Sequence, residues 1–521
     1  MRVIHLCFQL HVPYELQMLK FDEVEVGAEK AGRALAYFNS AESFRRANHE
    51  VYQPFLALIE RNVQKFKTLH FSLIISGAWL EQAEQYEPEL IERLKKLVKT
   101  GQVELVSVPY YHSLAFFYAQ DELLEQVEKY QSQLERLFGV KGRIFALPEL
   151  IYNDAVGKWA EEFGFAGMLV GGSARALDWR SPNHVYEASG CEYLRLLVRN
   201  WRLSDLIERG DESLLAEKKG EDGEKKLVLS LDKFRKLLDL DFLRGSLVNL
   251  YFDTQMFAQR RQQGVMKFFD ELIATWLNED SNKFATAAEA CVVETPTAEL
   301  SIKNTVSWRG DAEEGDTSGA VMGLVLKSEV ENKLPEWLNH RDQVAVSKLV
   351  YGVRRQILAS EDQKLANDLR RLMLVDYHKG ADSSVMAKIT EIVEDLKRRT
   401  EEIKKSQAVE ISRAYTKKRD RGEVERKADA TVDYDGAIRV NFDRQPGTVS
   451  GAVHVKTEDE EGLDIPVRRL GGQAQVVKED LEDDTAEVVG ELENEIAEEI
   501  PVVRKRKTHA VRKIIKKLVI E

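Results

Sequence analysis

The chain has 521 residues, 43% of them hydrophobic, and a formal net charge of −13. That length admits about two to four domains with a sizeable core, and the acidic balance argues against nucleic acid as a main partner, because phosphate binding needs a concentrated positive face. The three cysteines, Cys7, Cys191 and Cys291, are too dispersed for a disulfide framework; with no signal-type N-terminus and no apolar run near the roughly 18 residues of a membrane span, a soluble cytoplasmic protein without a transmembrane segment is expected.

Strands and helices alternate through the first half. Residues 3–9 read as a first strand, 51–66 as a helix and 70–76 as a second strand. Residues 88–99 carry Leu90, Ile91, Leu94, Leu97 and Val98 at helical spacing, and 101–107 form a third strand. An amphipathic helix over 122–138 stops at Gly139; a fourth strand covers 143–147; a helix over 155–163 closes at Gly164. Strands at 167–170, 193–198 and 247–252 complete a set of seven, which fits a parallel barrel or a doubly wound sheet. Beyond about residue 270 the periodicity turns helical, at 266–277, 343–358, 361–374 and 385–404. The chain changes character after about 405: it is polar, then acidic at 478–484, then basic over 502–520, and is expected to be largely disordered.

His11, His112, Glu149 and Asp253 each follow a strand, where a barrel carries its chemistry. Two strands that each end in an acid, 143–147 before Glu149 and 247–252 before Asp253, can aim two carboxylates at one bond, the equipment of a glycosidase. The structural reading of each acid is a helix cap at a strand–helix turn.

Several segments carry a resemblance: Phe8-Gln9-Leu10-His11-Val12-Pro13, Pro109-Tyr110-Tyr111-His112-Ser113-Leu114, Pro148-Glu149-Leu150-Ile151-Tyr152-Asn153, Arg199-Asn200-Trp201-Arg202-Leu203-Ser204-Asp205 and Asn249-Leu250-Tyr251-Phe252-Asp253. In type and order they resemble glycoside hydrolase family 57, the α-amylase and 4-α-glucanotransferase group, over about residues 1–380. The resemblance implies an α/β fold, an incomplete seven-stranded (β/α)7 barrel followed by helices; with the chain's own pattern, this gives a barrel over 1–270, a helical domain over 271–404 and the charged tail over 405–521. It also implies a retaining mechanism on α-glucans or maltooligosaccharides, with Glu149 as nucleophile and Asp253 as acid/base, and no cofactor.

The pattern departs from the family at Val12, Val108, Gly171-Gly172-Ser173-Ala174, Thr254-Gln255-Met256-Phe257-Ala258-Gln259-Arg260 and Ser307-Trp308-Arg309-Gly310. The rival reading is therefore a catalytically impaired relative that binds glycan or a protein partner. An arginine such as Arg260 or Arg309 paired with Glu149 would favour that rival. The substrate-binding set expected around the acids is His11, His112, Tyr111, Trp179, Trp201 and Asp205. Each has a structural alternative: a core histidine, a packed aromatic ring, or an acid that holds a loop. Trp308 is open to either role. Asp376 aligns with a family segment that reaches the cleft, and a minor part is expected of it. A metal site would need an Asp-Asp pair and His-x-x-x-His spacing, and neither is found in the right place. The basic 502–520 segment reads as a solvated tail rather than a membrane or partner contact. The sequence leaves oligomeric state open.

Overall fold

The computed structural model describes residues 1–17, 37–172, 177–219, 225–296, 298–308 and 341–420, together with five short strands beyond them. The chain forms two compact units, Met1–Lys397 and Arg398–Glu521.

The first unit is built on β1 (Arg2–Leu10), β2 (Phe71–Ile75), β3 (Val103–Val106), β4 (Ile144–Phe145), β5 (Gly167–Val170), β6 (Val185–Ala188), β7 (Arg195–Val198), the hairpin β8 (Leu215–Lys219) and β9 (Lys225–Leu229), β10 (Leu247–Asp253), β11 (Asn282–Ala285) and β12 (Glu299–Leu300). One parallel path runs β10-β1-β2-β3 and another joins β4, β5 and β7. A parallel bridge between Ser107 and Phe145 connects them, with Ser107 N donating to Ile144 O at 2.8 Å. Seven parallel strands thus curl round in chain order.

No ladder joins β7 to β10. At that seam Asn249 Nδ2 donates to Val198 O at 3.1 Å and Asn200 N donates to Asn249 O at 2.8 Å. This is an incomplete (β/α)7 barrel. The antiparallel strand β6 lies on β7, and β11 pairs with the first half of β1, so the barrel sheet draws on residues beyond 270.

The strands are apolar on both faces because helices cover the outside. Phe8 on β1 illustrates the packing: its ring lies 5.2–6.3 Å from those of Phe55, Phe71, Phe252, Phe257 and Phe269. A cavity of about 10 Å³ is lined in part by His5, Cys7, Arg199 and Tyr251. The two glycine stops are real: Gly139 at φ 71° and Gly164 at φ 104° end the helices Gln120–Phe138 and Asp154–Phe163, a backbone state that favours glycine.

Helices Arg341–Gly352, Arg354–Leu358, Gln363–Arg371, Val375–Lys379 and Ser383–Asp420 follow. Leu374 bridges Ser113, and Val375 N donates to His112 O at 3.0 Å. Those bonds carry the Val375–Lys379 helix to the rim beyond β3. In the second unit, β13 (Ala428–Val432) pairs antiparallel with β14 (Ile438–Phe442), and β15 (Gly451–Lys456), β16 (Gly462–Leu470) and β17 (Gln473–Val476) form a second antiparallel sheet. The acidic 478–484 and basic 502–520 stretches lie outside the described residues, as do Ser173, Ala174, Arg309 and Gly310. Among the described residues, no helix is long and apolar enough to cross a membrane.

Candidate active site

Glu149 follows β4 in a tight turn. Pro148 removes a backbone donor and confines Leu147 to extended backbone, with ψ at 158°. The chain then turns left-handed twice, at Glu149 (φ 57°) and Leu150 (φ 50°). Asn153 ends the turn by capping the next helix, accepting from Val156 N at 3.0 Å. Residues 306–308 run back along this turn: Val306 N donates to Tyr152 O and Trp308 N to Glu149 O, each at 2.9 Å.

The result is a nearly enclosed carboxylate. Glu149 is 3% exposed. The Trp308 indole donates to Oε2, and Lys379 Nζ donates to Oε1 at 2.9 Å. Among the described residues, a lysine of the helical region is thus a cation on Glu149. Arg260 is engaged elsewhere, its Nε donating to Glu208 O at 2.9 Å.

Asp253 is the last residue of β10, in register with Gln9 of β1. Its carboxylate accepts from Gln255 N at 2.9 Å and from Gln9 Nε2 at 3.4 Å. A chain of contacts links it to Glu149. Gln9 Oε1 accepts from the Tyr251 hydroxyl. The Tyr251 ring meets Trp308 edge-on at 4.9 Å, and Trp308 holds Glu149. Burial pushes the Tyr251 phenol well above its ordinary range, and the charges of Cys7, Asp253, Glu149 and Glu208 push it further. Both acids act on one phenol.

Beneath Asp253 sits a group that sequence reasoning did not single out. Arg199, buried directly after β7, donates from Nη1 to Asp205 Oδ1 at 2.7 Å, from Nη2 to Glu208 Oε2 at 3.1 Å and from Nε to Tyr251 O at 3.2 Å. Its guanidinium lies 4.7 Å from the Trp308 ring. Glu208 Oε1 accepts from Asp253 N at 3.4 Å. Burial raises the Glu208 carboxyl to about 7, with Asp253 and Asp205 adding to the rise and Arg199 opposing it. The clue was available in outline: Asp205 and Glu208 stand three apart, on one face of the helix Trp201–Glu208.

His11 and His112 also meet at this rim. Their rings stack at 4.1 Å. His11 Nδ1 lies 2.7 Å from Ser76 Oγ and Nε2 lies 2.6 Å from Asp376 Oδ2. Asp376 also pairs with Lys379, Nζ to Oδ1, at 3.4 Å. Burial alone would raise the Asp376 carboxyl; the charges of His11 and Lys379 outweigh it and hold it well below the usual carboxylate range. Asp376 thus links His11 to Lys379 at this rim. Lys379 was missed because a single lysine in a helical stretch carries no spacing signal.

The other expected residues have contacts of their own. Tyr111 is fully buried, with its hydroxyl within hydrogen-bond reach of Glu81, Asn367 and Lys129. Trp179 is 78% exposed, with the Arg180 guanidinium 5.2 Å from its ring. Trp201 is half-buried at the first position of its helix. Asp205 is committed to Arg199 and to Arg209, the latter at 3.4 Å. Among the described residues, no group of three or more His, Cys, Asp or Glu side chains is placed to hold a metal ion.

Comparison with known proteins agrees with the seven-stranded parallel sheet. A protein of Methanocaldococcus jannaschii named "Putative alpha-amylase" is 28% identical over 272 residues, 51% of this chain and 56% of that protein. The 4-alpha-glucanotransferase of Thermococcus litoralis is 26% identical over 127 residues, 24% of this chain and 18% of its own length. The chain therefore spans about half or less of these relatives. The crystal structure of the Thermococcus litoralis 4-alpha-glucanotransferase superposes with a TM-score of 0.53 at 14% identity, over 91% of this chain and 66% of that one. A GH57 branching enzyme from Thermococcus kodakaraensis gives 0.52 at 14% identity, over 77% and 89%. The model of the family described as Glycosyl hydrolase family 57 matches residues 5–303, which include both Glu149 and Asp253. On that match, this chain belongs to glycosyl hydrolase family 57.

Proposed function

We propose that the protein is a retaining α-glucan-active enzyme, hydrolytic or glucan-transferring, with Glu149 as nucleophile and Asp253 as acid/base. The observation that carries this reading is the contact chain Glu149–Trp308–Tyr251–Gln9–Asp253, which ties two strand-end carboxylates to one buried phenol. Glu149 attacks the anomeric carbon, and Asp253 protonates the departing oxygen. Asp253 then takes the proton of the incoming acceptor, so water gives hydrolysis and a sugar hydroxyl gives transfer. His11, stacked on His112, is the candidate partner for hydroxyls of the attacked sugar. Trp179 and Trp201 are candidate platforms for sugar rings further out, because apolar sugar faces stack on aromatic rings. Tyr111 and Asp205 serve as supports, through Glu81 and Arg199 respectively.

The second reading is a catalytically impaired relative that binds glycan or a protein partner. One observation favours it: both oxygens of Glu149 are engaged, one by a lysine. Incubation with maltooligosaccharides separates the two. The first reading predicts shortened or redistributed oligosaccharides from the parent. It predicts a loss on the order of 10²–10⁴-fold in Asp253→Asn and no turnover in Glu149→Gln. Identical product profiles in parent and Glu149→Gln would remove the enzymatic reading.

A further inference from the structure

Glu149 Oε2 is held by an indole that is itself wedged between the Tyr251 ring and the Arg199 guanidinium. Oε1 is held by Lys379, whose side chain is 26% exposed. Of these two partners the lysine is the one on a flexible stem with solvent beside it. It also has a second acceptor within reach, Asp376 Oδ1 at 3.4 Å. Freeing Oε1 therefore asks the ammonium to move, and Asp376 is within reach to receive it.

We propose that Lys379 is a third catalytic residue of this site, which moves between Glu149 and Asp376 and sets the lifetime of the glycosyl-enzyme. This rests on the reading of Glu149 as nucleophile. In the first half-reaction a bond forms between Glu149 Oε1 and the anomeric carbon. The bond to the leaving oxygen breaks, its electron pair stays on that oxygen, and the oxygen takes the proton of Asp253. The carboxylate charge is consumed in the ester, so the ammonium loses its partner and turns to Asp376. In the second half-reaction the acceptor oxygen bonds to the anomeric carbon and gives its proton to Asp253. The ester bond breaks and its electrons return to Glu149, where the ammonium is waiting. A cation at 2.9 Å in a site largely closed to water favours the free carboxylate over the ester. Lys379 therefore opposes formation of the intermediate and accelerates its breakdown.

The test uses α-glucosyl fluoride well below saturation; its leaving group depends little on protonation, so the labelled fraction reports formation of the intermediate against its breakdown. Parent, Lys379→Met, Lys379→Arg and Glu149→Gln are mixed with it, quenched rapidly and weighed intact, after thermal melts confirm that each is folded. The fraction of protein carrying one added glucosyl group should rise about tenfold or more in Lys379→Met, the equivalent of losing roughly one charge contact. It should return toward the parent level in Lys379→Arg and be absent in Glu149→Gln. Equal or smaller fractions in Lys379→Met than in the parent, with Glu149→Gln still unlabelled, would overturn the role of Lys379 and leave the nucleophile standing. No adduct and no fluoride release from any of the four would overturn both.

Discussion

Glu149 carries a conformational cost that its neighbours share. Left-handed backbone costs an L residue roughly 1–2 kcal/mol, and the chain adopts it at both Glu149 and Leu150. Such outliers persist where surrounding structure over-determines them, and here residues 306–308 and the Asn153 cap do so. Glu208 offers a cleaner measurement at this scale. Its carboxyl is raised to about 7 in the folded chain, above the roughly 4.3 of an unfolded glutamate. The folded state therefore holds that proton more tightly, and the stability this brings is complete below about pH 4 and lost as pH rises through about 7. Urea unfolding of parent and Glu208→Gln should diverge by about 3 kcal/mol across that window, in favour of the variant at the alkaline end. Parallel curves would show that Glu208 titrates normally. His11, His112, Glu149 and Asp253 were legible in the sequence because each follows an apolar run. Tyr111 was not, because its fate depends on Glu81 and Lys129, which come from other helices.

At the scale of elements, the seam between β7 and β10 is where the sheet is weakest. Asn249 stands in for the missing ladder: its Nδ2 donates to Val198 O, its Oδ1 lies 3.3 Å from His5 Nδ1, and its backbone carbonyl accepts from Asn200. Asn249→Ala should leave the buried groups on Val198 and His5 short of a partner and cost about 2 kcal/mol in chemical denaturation. A change below about 0.5 kcal/mol would mean the seam is held by packing alone. The seven barrel strands could be read from apolar runs, and the helix ends at Gly139 and Gly164 from chemistry that only glycine tolerates there. β6, β11 and β12 could not. They are at most four residues long, and β11 falls in a region whose wider periodicity is helical. β6 pairs with its neighbour β7, while β11 and β12 pair with the distant β1 and β6, so pairing rather than local pattern decides them.

At the scale of the molecule, the site is assembled from three contributions far apart along the chain: the ends of β1, β4 and β10, the 306–308 return, and the Val375–Lys379 helix. Only the first of these contributions follows a pattern that sequence reading can use. The return is possible because Gly171 has no side chain: a Cβ there would lie 2.6 Å from Ser307 C and 2.8 Å from Trp308 N. Gly171 therefore leaves room for the segment that brings Trp308 onto Glu149. The helix reaches the site through bonds to His112 and Ser113, which no periodicity announces.

Whether that assembly works as a glycosidase can be measured at a single atom. The full chain is treated with a 5-fluoro-α-glucosyl fluoride, which slows breakdown of a covalent intermediate, then digested and mapped by peptide mass. A glucosyl-sized addition on the peptide containing Glu149, absent when maltooligosaccharide is present in excess, is the predicted result. An addition at another acid, or an unmodified chain under conditions where Lys379→Met is also unmodified, would contradict it.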